Sequence, residues 1–456
     1  MRHKSVFKGL RIIITLLLIV AALAKASTTT GNLTFSNTPL LRPEGVSEPA
    51  ISIAGDGTLA VTGLQWLFDP AFFGTHLWIG SFGSTPAFQG LIDASLQKKG
   101  KAVFGSGDAD VDIGSTGMLH ASSIIFLFNP AFNHAQIGVS AIACPNATSG
   151  GVNLKSCVAQ IIDTAGADRQ WITSDGATVY ISYHDSGNSS LIHVQRSEDD
   201  GLNWHRVGDP VVGQGRFTGD ATFNNTQGPI VADPFTHNVY AIYTAGEPSV
   251  QKGTSAAFNN VILSRSTDGG VSWAANLVFH APLFTDFSNV FPALAVDPTN
   301  GKLYAVWSDA HHVFFSASSD QGASWSSAVT VNLAPADTAL FPWVAAYNGT
   351  VDVVYYGTPA ASKDEASAVW DTFLAQTSND GASFAQSKVS NASNHTGVIC
   401  TAGTGCAPGT RNLLDLFEVA INPQNGRAAV IYTDDTITKT SSGAPLPQIV
   451  LAQQNP

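Results

Sequence analysis

A short segment that recurs along the chain is the feature that most constrains its fold. Residues 264–273 read SRSTDGGVSW, and the last eight of them fit the template S-x-D-x-G-x-x-W. Four segments follow this template or a close variant: 197–204, 266–273, 318–325 and 377–384. The fourth is the variant, with Asn379 in place of Asp and Phe384 in place of Trp. We call these four segments the box turns.

The residue types of the box turns suit a tight turn rather than a catalytic centre. Asp and Ser bond to nearby backbone groups, and Gly adopts backbone conformations that other residues avoid. A catalytic centre is normally unique, whereas this segment recurs at intervals of roughly 60 residues, as a structural repeat does. The template positions of the three complete copies are Ser197, Asp199, Gly201, Trp204, Ser266, Asp268, Gly270, Trp273, Ser318, Asp320, Gly322 and Trp325.

A second pattern repeats more often and predicts β-hairpins. It consists of an apolar strand, a turn rich in Gly, Asn and Asp, and a second strand that typically ends in an aromatic residue. It occurs seven times: 48–64, 108–124, 168–183, 227–243, 291–307, 341–356 and 417–432. A third strand follows, and the box turn leads to a fourth. Four antiparallel strands per repeat are typical of a β-propeller, so we predict an all-β fold with seven four-stranded blades, with six as the alternative.

The two ends of the chain are expected to close this ring. The last repeat ends with PQIVLAQQNP, a third strand with no turn after it, and GNLTFSNTPLL near the N-terminus can supply the missing fourth strand. Such pairing leaves no open sheet edge between the first and last blades.

The N-terminus has the pattern of a secretory signal peptide. A basic segment, MRHKSVFKGLR, precedes the apolar run IIITLLLIVAALA and the motif Ala24-Lys25-Ala26. We therefore expect a signal peptide over 1–26, cleavage near Ala26, and one propeller domain over 27–456 that is secreted as a monomer to the periplasm or the extracellular space. An uncleaved N-terminal anchor is the alternative. The sequence contains no other membrane span, and a net charge of -12 without a basic cluster argues against nucleic acid as a partner.

Four cysteines in a secreted chain indicate disulfide bonds. Of the three connectivities, the simplest joins Cys144 to Cys157 and Cys400 to Cys406, because each pair is local in sequence. The first pair occupies the place of a box turn in the second repeat. Neither pair has the spacing of a metal site with histidine partners.

The box turns resemble the Asp-box, or BNR repeat, of sialidases and other secreted propellers. This resemblance implies the propeller fold and a ligand pocket on the face opposite the boxes. Strand counting is consistent with it: if each first strand runs from face A to face B, every box turn lies on face B. The starts of the first strands, the loops from second to third strands and the links between blades then lie on face A.

The candidate site residues are those that this strand count places on face A. Asp168, Glu48 and Glu418 are the candidate catalytic carboxylates, since paired carboxylates provide acid and base catalysis in glycoside hydrolysis. The candidate substrate-binding residues are Arg169, Gln170, Trp171, Tyr183, Asp185 and Arg411. For Tyr183 and Asp185 the alternative is a recurrent blade turn, because a Y/W-x-D pattern also occurs at 307–309 and 432–434.

The resemblance to sialidases also implies three arginines that hold a substrate carboxylate. The first of these belongs at the start of the opening strand, but here that position reads Ser47-Glu48-Pro49. We therefore expect a propeller that recognises a glycan or protein ligand, such as a glycoprotein, through face A. An exo-acting glycoside hydrolase that uses Arg169 and the face A carboxylates is the alternative. No cofactor is expected, with calcium at Asp108-Ala-Asp-Val-Asp112 as the alternative.

Overall fold

The protein folds into seven antiparallel sheets, each built on four strands, as the hairpin repeats predicted. The computed structural model describes residues 24–66, 74–97, 102–105, 107–129, 134–149, 151–164, 166–185, 191–211, 225–246, 257–288 and 291–456. The predicted signal peptide therefore lies almost entirely outside the described residues. Within those ranges, no helix is both long and apolar enough to cross a membrane.

The sheets are the blades of a propeller, numbered here in chain order. The first strands of blades 1 to 7 are Val46–Ile53, Ala109–Ile113, Ala167–Asp175, Asn225–Ala232, Ala293–Val296, Thr338–Tyr347 and Glu418–Ile421. The second strands are Thr58–Gln65, Leu119–Asn129, Thr178–Asp185, Val239–Ala245, Leu303–Ser308, Thr350–Thr358 and Ala428–Lys439. Each first strand contacts the first strands of the neighbouring blades, including blade 7 with blade 1, so these strands surround the central axis.

The outer half of each blade is formed by its third and fourth strands. The third strands are His76–Ser81, His134–Cys144, Ile192–Ser197, Asn260–Ser266, Val313–Ser318, Val369–Thr377 and Pro445–Gln454. The fourth strands are Ala87–Leu91, Val158–Asp163, His205–Arg206, Ala274–His280, Val329–Thr330, Ser383–Lys388 and Phe35–Leu40. Short additional strands and helices complete the described structure: Ala24–Lys25, Ser27–Thr30, Ala102–Phe104 and His395–Thr396 are strands, Ala94–Gln97 is an α-helix, and Ala147–Ser149, Leu154–Ser156 and Gly403–Gly405 are 3₁₀ helices.

The hydrophobic core lies between the blades, which explains why the strands are apolar on both faces. All six residues of the second strand of blade 5, Leu303–Ser308, are buried. Tyr304 and Val306 pack towards blade 6, whereas Leu303 and Trp307 pack towards blade 4. Because alternate residues point to opposite faces of a strand, one strand contributes to two separate inter-blade cores.

The ring is closed by the N-terminal strand, as predicted. Phe35–Leu40 pairs antiparallel with the last strand, Pro445–Gln454, and so becomes the fourth strand of blade 7. Two strands that the sequence analysis did not predict precede it. Ser27–Thr30 pairs in parallel with the outer strand of blade 6, and Ala24–Lys25 pairs in parallel with that of blade 5. The N-terminal segment therefore runs across the outer edges of three consecutive blades.

The box turns owe their residue pattern to a set of local hydrogen bonds. The hydroxyl of Ser266 donates to Asp268 (2.8 Å) and accepts from the N–H of Gly270 (2.8 Å). Asp268 also accepts from the N–H (2.9 Å) and hydroxyl (2.5 Å) of Ser272, and the indole of Trp273 donates to the carbonyl of Gly270 (2.9 Å). Gly270 has a φ of 88°, a conformation that favours glycine. Each residue of the template therefore has a structural role.

Both predicted disulfide bonds are present. Cys144 is the last residue of the third strand of blade 2, and Cys157 immediately precedes the fourth strand. This bond therefore connects the two strands at the position where other blades have a box turn. Cys400 and Cys406 form the second bond, within the link between blades 6 and 7.

Candidate functional site

A cavity of about 700 Å³ opens on face A, where the sequence analysis placed the candidate site. Its walls come from the starts of the first strands of blades 2, 3 and 4, the second and third strands of blade 2, the end of the second strand of blade 3, the link before blade 5, and the link between blades 6 and 7. The lining residues are Gly107, Asp108, Ile124, Phe126, Ile137, Ala167, Asp168, Arg169, His184, Asn225, Thr226, Gln227, Ser288, Phe291, Thr401, Ala402, Gly403, Arg411 and Asp415. The box turns, which connect third to fourth strands, lie at the opposite face.

β-Bulges at the starts of the first strands bring residues of distant blades together. The pairing of the first two strands shifts register between Ser47 and Ala50 in blade 1, and between Asp168 and Gln170 in blade 3. Glu48 and Arg169 have φ values of 50° and 48°, which are unusual for residues with a side chain. A bulge redirects the side chain of the extra residue. Here the two bulges bring the side chains of Glu48 and Arg169 into contact, although 121 residues separate them in sequence.

Arg169 is held inside the protein by carboxylates. Its guanidinium forms a buried ion pair with Glu48 and lies 3.5 Å from a carboxylate oxygen of Asp108. It also lies 4.6 Å from the ring centre of Phe291. Burial alone would lower the pKa of Arg169, but the charges of Asp108, Glu48 and Asp415 raise it above its usual range. Arg169 is therefore charged, and that charge is already paired by the protein.

The second cationic side chain that lines the cavity, Arg411, is paired as well. Its guanidinium forms an ion pair with Asp415, and its Nε donates to the same carboxylate at 3.1 Å. Both residues belong to the link between blades 6 and 7. Charge–charge contacts within the wall therefore engage both arginines that line the cavity.

The link between blades 6 and 7, residues 389–417, is anchored on its neighbours at two points. Asp435, at the end of blade 7, accepts hydrogen bonds from His395 (2.9 Å) and Asn412 (2.8 Å). Between these anchors the disulfide of Cys400 and Cys406 closes a small loop. This loop supplies three cavity-lining residues, so it forms one rim of the cavity: Thr401, Ala402 and Gly403.

Asp168 is the most exposed of the three carboxylates that line the cavity in the described part of the chain. More than a third of its surface is exposed, yet protein surrounds it on several sides. Burial, followed by the nearby charge of Asp108, raises the pKa of Asp168 to about 6. Among the described residues, no Lys, Arg or His forms an ion pair with it. Asp168 therefore remains free to accept hydrogen bonds from a ligand.

Gln227 is a cavity residue that the sequence analysis missed. Its side chain is almost fully buried, at 2% exposure, and its Nε2 donates to the hydroxyl of Ser182 at 2.8 Å. Its Oε1 has no hydrogen-bond partner among the described residues. The hairpin repeats contained a signal for this residue, because Gln227 begins the hairpin of blade 4 as Asp168 begins that of blade 3.

Three of the nine predicted site residues line the cavity: Asp168, Arg169 and Arg411. Glu48 lies directly behind Arg169. Gln170 lies in the wall and donates to the carbonyl of Ser122 at 3.2 Å, and Trp171 packs in the core between blades 3 and 4. The structure thus gives Gln170 and Trp171 supporting positions behind the cavity surface.

The remaining three predicted residues lie away from the cavity. Glu418 is buried and accepts the N–H of Ile51 at 2.9 Å. The hydroxyl of Tyr183 donates to Asp163, and Asp185 contacts His193 at 2.9 Å. These contacts connect strands and links within the propeller. They place Glu418, Tyr183 and Asp185 outside the group of residues that the cavity brings together.

The three carboxylates considered for calcium are engaged separately. Asp108 faces Arg169. Asp110 accepts the N–H groups of Val111 (2.7 Å) and Ile172 (2.8 Å), and Asp112 accepts the hydroxyl of Ser174 (2.5 Å). In the described part of the chain, no three His, Cys, Asp or Glu side chains are grouped so that they could hold a metal ion.

Comparison with known proteins gives structural similarity only. No protein family and no curated protein matches this sequence. Among solved structures, the chain is similar to an α-L-arabinofuranosidase from Fusarium graminearum (15% identity, 72% of this chain and 93% of that chain, TM-score 0.47). It is also similar to the Aleuria aurantia lectin (13% identity, 80% and 99%, TM-score 0.43) and to the NanB sialidase from Streptococcus pneumoniae (9% identity, 93% and 70%, TM-score 0.41).

Proposed function

We propose that this protein is a secreted, sialidase-like Asp-box propeller that binds a glycan in the face A cavity. The observation that carries the proposal is the cavity itself. It combines aromatic surface from Phe126 and Phe291 with polar groups such as Asp168, Thr226 and Gln227. Aromatic rings stack on the apolar faces of sugars, and carboxylate and amide oxygens accept hydrogen bonds from sugar hydroxyls. A cavity of about 700 Å³ is also within the size range of small-ligand sites.

A concave site favours a sugar over a flat protein surface. Protein interfaces of standard size bury roughly 800 Å² on each partner, over a broad surface. The aromatic and polar groups described here instead converge inside one opening. If the ligand is a protein, we therefore expect a glycoprotein whose glycan enters this cavity.

Glycoside hydrolysis is a second candidate, supported by Asp168. A carboxylic acid with a pKa of about 6 is partly protonated near neutral pH, as a general acid must be. Asp108, the neighbouring carboxylate, lies in the same wall of the cavity. Release of a chromogenic aglycone from a glycoside panel, abolished by Asp168→Asn, would distinguish a hydrolase from a binding protein.

Binding to a glycan array, followed by calorimetry with the strongest glycan, tests the proposed function. We expect Phe291→Ala to weaken binding roughly tenfold, because it removes an aromatic wall of the cavity. Phe235→Ala is the matched control, since Phe235 is 59% exposed on the loop between the first two strands of blade 4, at face B. Weaker binding in the Phe235→Ala protein, with the Phe291→Ala protein unaffected, would contradict the face A site.

A further inference from the structure

Among the described residues, the charges that line the cavity are unequal. Asp108, Asp168 and Asp415 contribute carboxylates, with Glu48 behind them, whereas Arg169 and Arg411 contribute the guanidinium groups. Both guanidinium groups already contact carboxylates of the wall. An anionic ligand would therefore meet an excess of negative charge and no unpaired arginine in the described wall.

In the described wall, two acceptors have no side-chain hydrogen-bond partner: the carboxylate of Asp168, which accepts the backbone N–H of Arg169, and Oε1 of Gln227. Asp168 forms no ion pair among the described residues, and its carboxylate faces the open space. Gln227 is buried and its Oε1 is unpaired, while its Nε2 is used by Ser182. A buried acceptor without a donor costs roughly 1–3 kcal/mol, which a ligand that donates to it would recover. The site is therefore suited to a ligand that donates hydrogen bonds and carries positive charge.

We propose that the sugar bound in this cavity carries a protonated amino group, which Asp168 and Gln227 recognise. The inference rests on the proposed glycan-binding function and specifies the class of sugar. An ammonium group has three donors and no acceptor, so it matches a wall whose unfilled hydrogen-bonding groups are acceptors. Its hydrogen bond to a carboxylate is charge-assisted, and such bonds are stronger than those between neutral groups. A hydroxyl or N-acetyl group in the same place lacks the charge.

Calorimetry with matched sugars tests the inference. The probes are the methyl glycosides of glucosamine, galactosamine and mannosamine, each compared with counterparts that carry a hydroxyl or an N-acetyl group at the same carbon. We expect at least one amino sugar to bind roughly tenfold more tightly than both of its counterparts. Equal binding of all three amino sugars and their hydroxyl counterparts would overturn the inference and leave the proposed function standing.

Variants of the two acceptors show whether they recognise the amino group. We expect Asp168→Asn and Gln227→Met to reduce the preference for the amino sugar to about twofold or less in proteins that remain folded. Asp364→Asn is the control, because Asp364 is an exposed carboxylate on face A, paired with Lys363, outside the cavity. An amino preference that persists in both acceptor variants would overturn the assignment.

Two further outcomes distinguish the amino-sugar assignment from the proposed glycan-binding function on which it rests. If no glycan of the array or of the matched sets binds, the proposed function fails and the inference fails with it. If Nα-acetyl-lysine amide binds as tightly as the best amino sugar, the ammonium is recognised without the sugar, and the assignment of an amino sugar is overturned.

Discussion

Arg169 illustrates how the surroundings of a residue decide what it can do. A planar guanidinium is well suited to hold a substrate carboxylate. Here, however, Glu48 and Asp108 already occupy it, and Phe291 lies against it. Removing one partner of a buried ion pair leaves an uncompensated charge. Arg169 therefore lies in the cavity wall with its charge paired, and Asp168 is the more exposed charged group of the two.

The residue-scale prediction concerns Asp268 in a box turn. Burial raises the pKa of Asp268, but hydrogen bonds from Ser272 and Ser266 lower it by more, so the pKa lies below its usual range. We expect Asp268→Ala to reduce the free energy of unfolding by about 1–2 kcal/mol, measured by urea denaturation, because these bonds are lost. Glycan affinity of the folded variant should be unchanged.

Thr267→Ala provides the control for this prediction. Thr267 is the adjacent, exposed residue of the same turn, at a position that the template leaves variable. Its replacement should change stability by less than about 0.5 kcal/mol. A stable Asp268→Ala protein that has lost glycan binding would show that the box turn takes part in recognition.

At the scale of elements, the residues that follow the expected cleavage site pair with two blades. Ser27–Thr30 extends blade 6, and Phe35–Leu40 supplies the fourth strand of blade 7. Cleavage near Ala26, as expected for the signal peptide, would leave both of these strands in the mature protein. The ring is closed by hydrogen bonds between the two ends of the chain, and an unpaired last strand would present an open sheet edge.

Two truncations test the importance of this closure. Removing residues 27–40 should lower the melting temperature by about 5 °C and promote aggregation, because blade 7 loses its outer strand. Removing residues 27–31 alone should have a smaller effect, since the closing strand remains. Scanning calorimetry and light scattering measure both. Equal melting temperatures for the two truncated proteins would contradict a closing role for Phe35–Leu40.

The sequence predicts best those features whose hydrogen bonds join residues that are close together in the chain. A box turn forms nearly all of its bonds within eight residues, and a hairpin needs one turn, so the repeats predicted the seven blades. The pairing of Glu48 with Arg169 depends on bulges in two blades, 121 residues apart. Gln227 was missed because its role depends on neighbours in another blade. The parallel strand Ser27–Thr30 was missed because the short segment STTT carries no strong pattern of its own.

At the scale of the whole molecule, the propeller places the box turns and the cavity at opposite faces. The box turns and the Cys144–Cys157 bond connect third and fourth strands at face B. The starts of the first strands and the links between blades converge at face A around the cavity. Residues far apart in sequence meet there because the first strands of blades 2, 3 and 4 begin at the same face as the links before blade 5 and between blades 6 and 7.

The central claim is that this face A cavity binds a glycan. The most direct measurement is a crystal structure of the protein with the strongest glycan from the array. We expect a sugar ring inside the cavity, in contact with Phe291, and a donor group within hydrogen-bond distance of Asp168. A glycan bound at the box turns of face B, with the cavity empty, would contradict the claim.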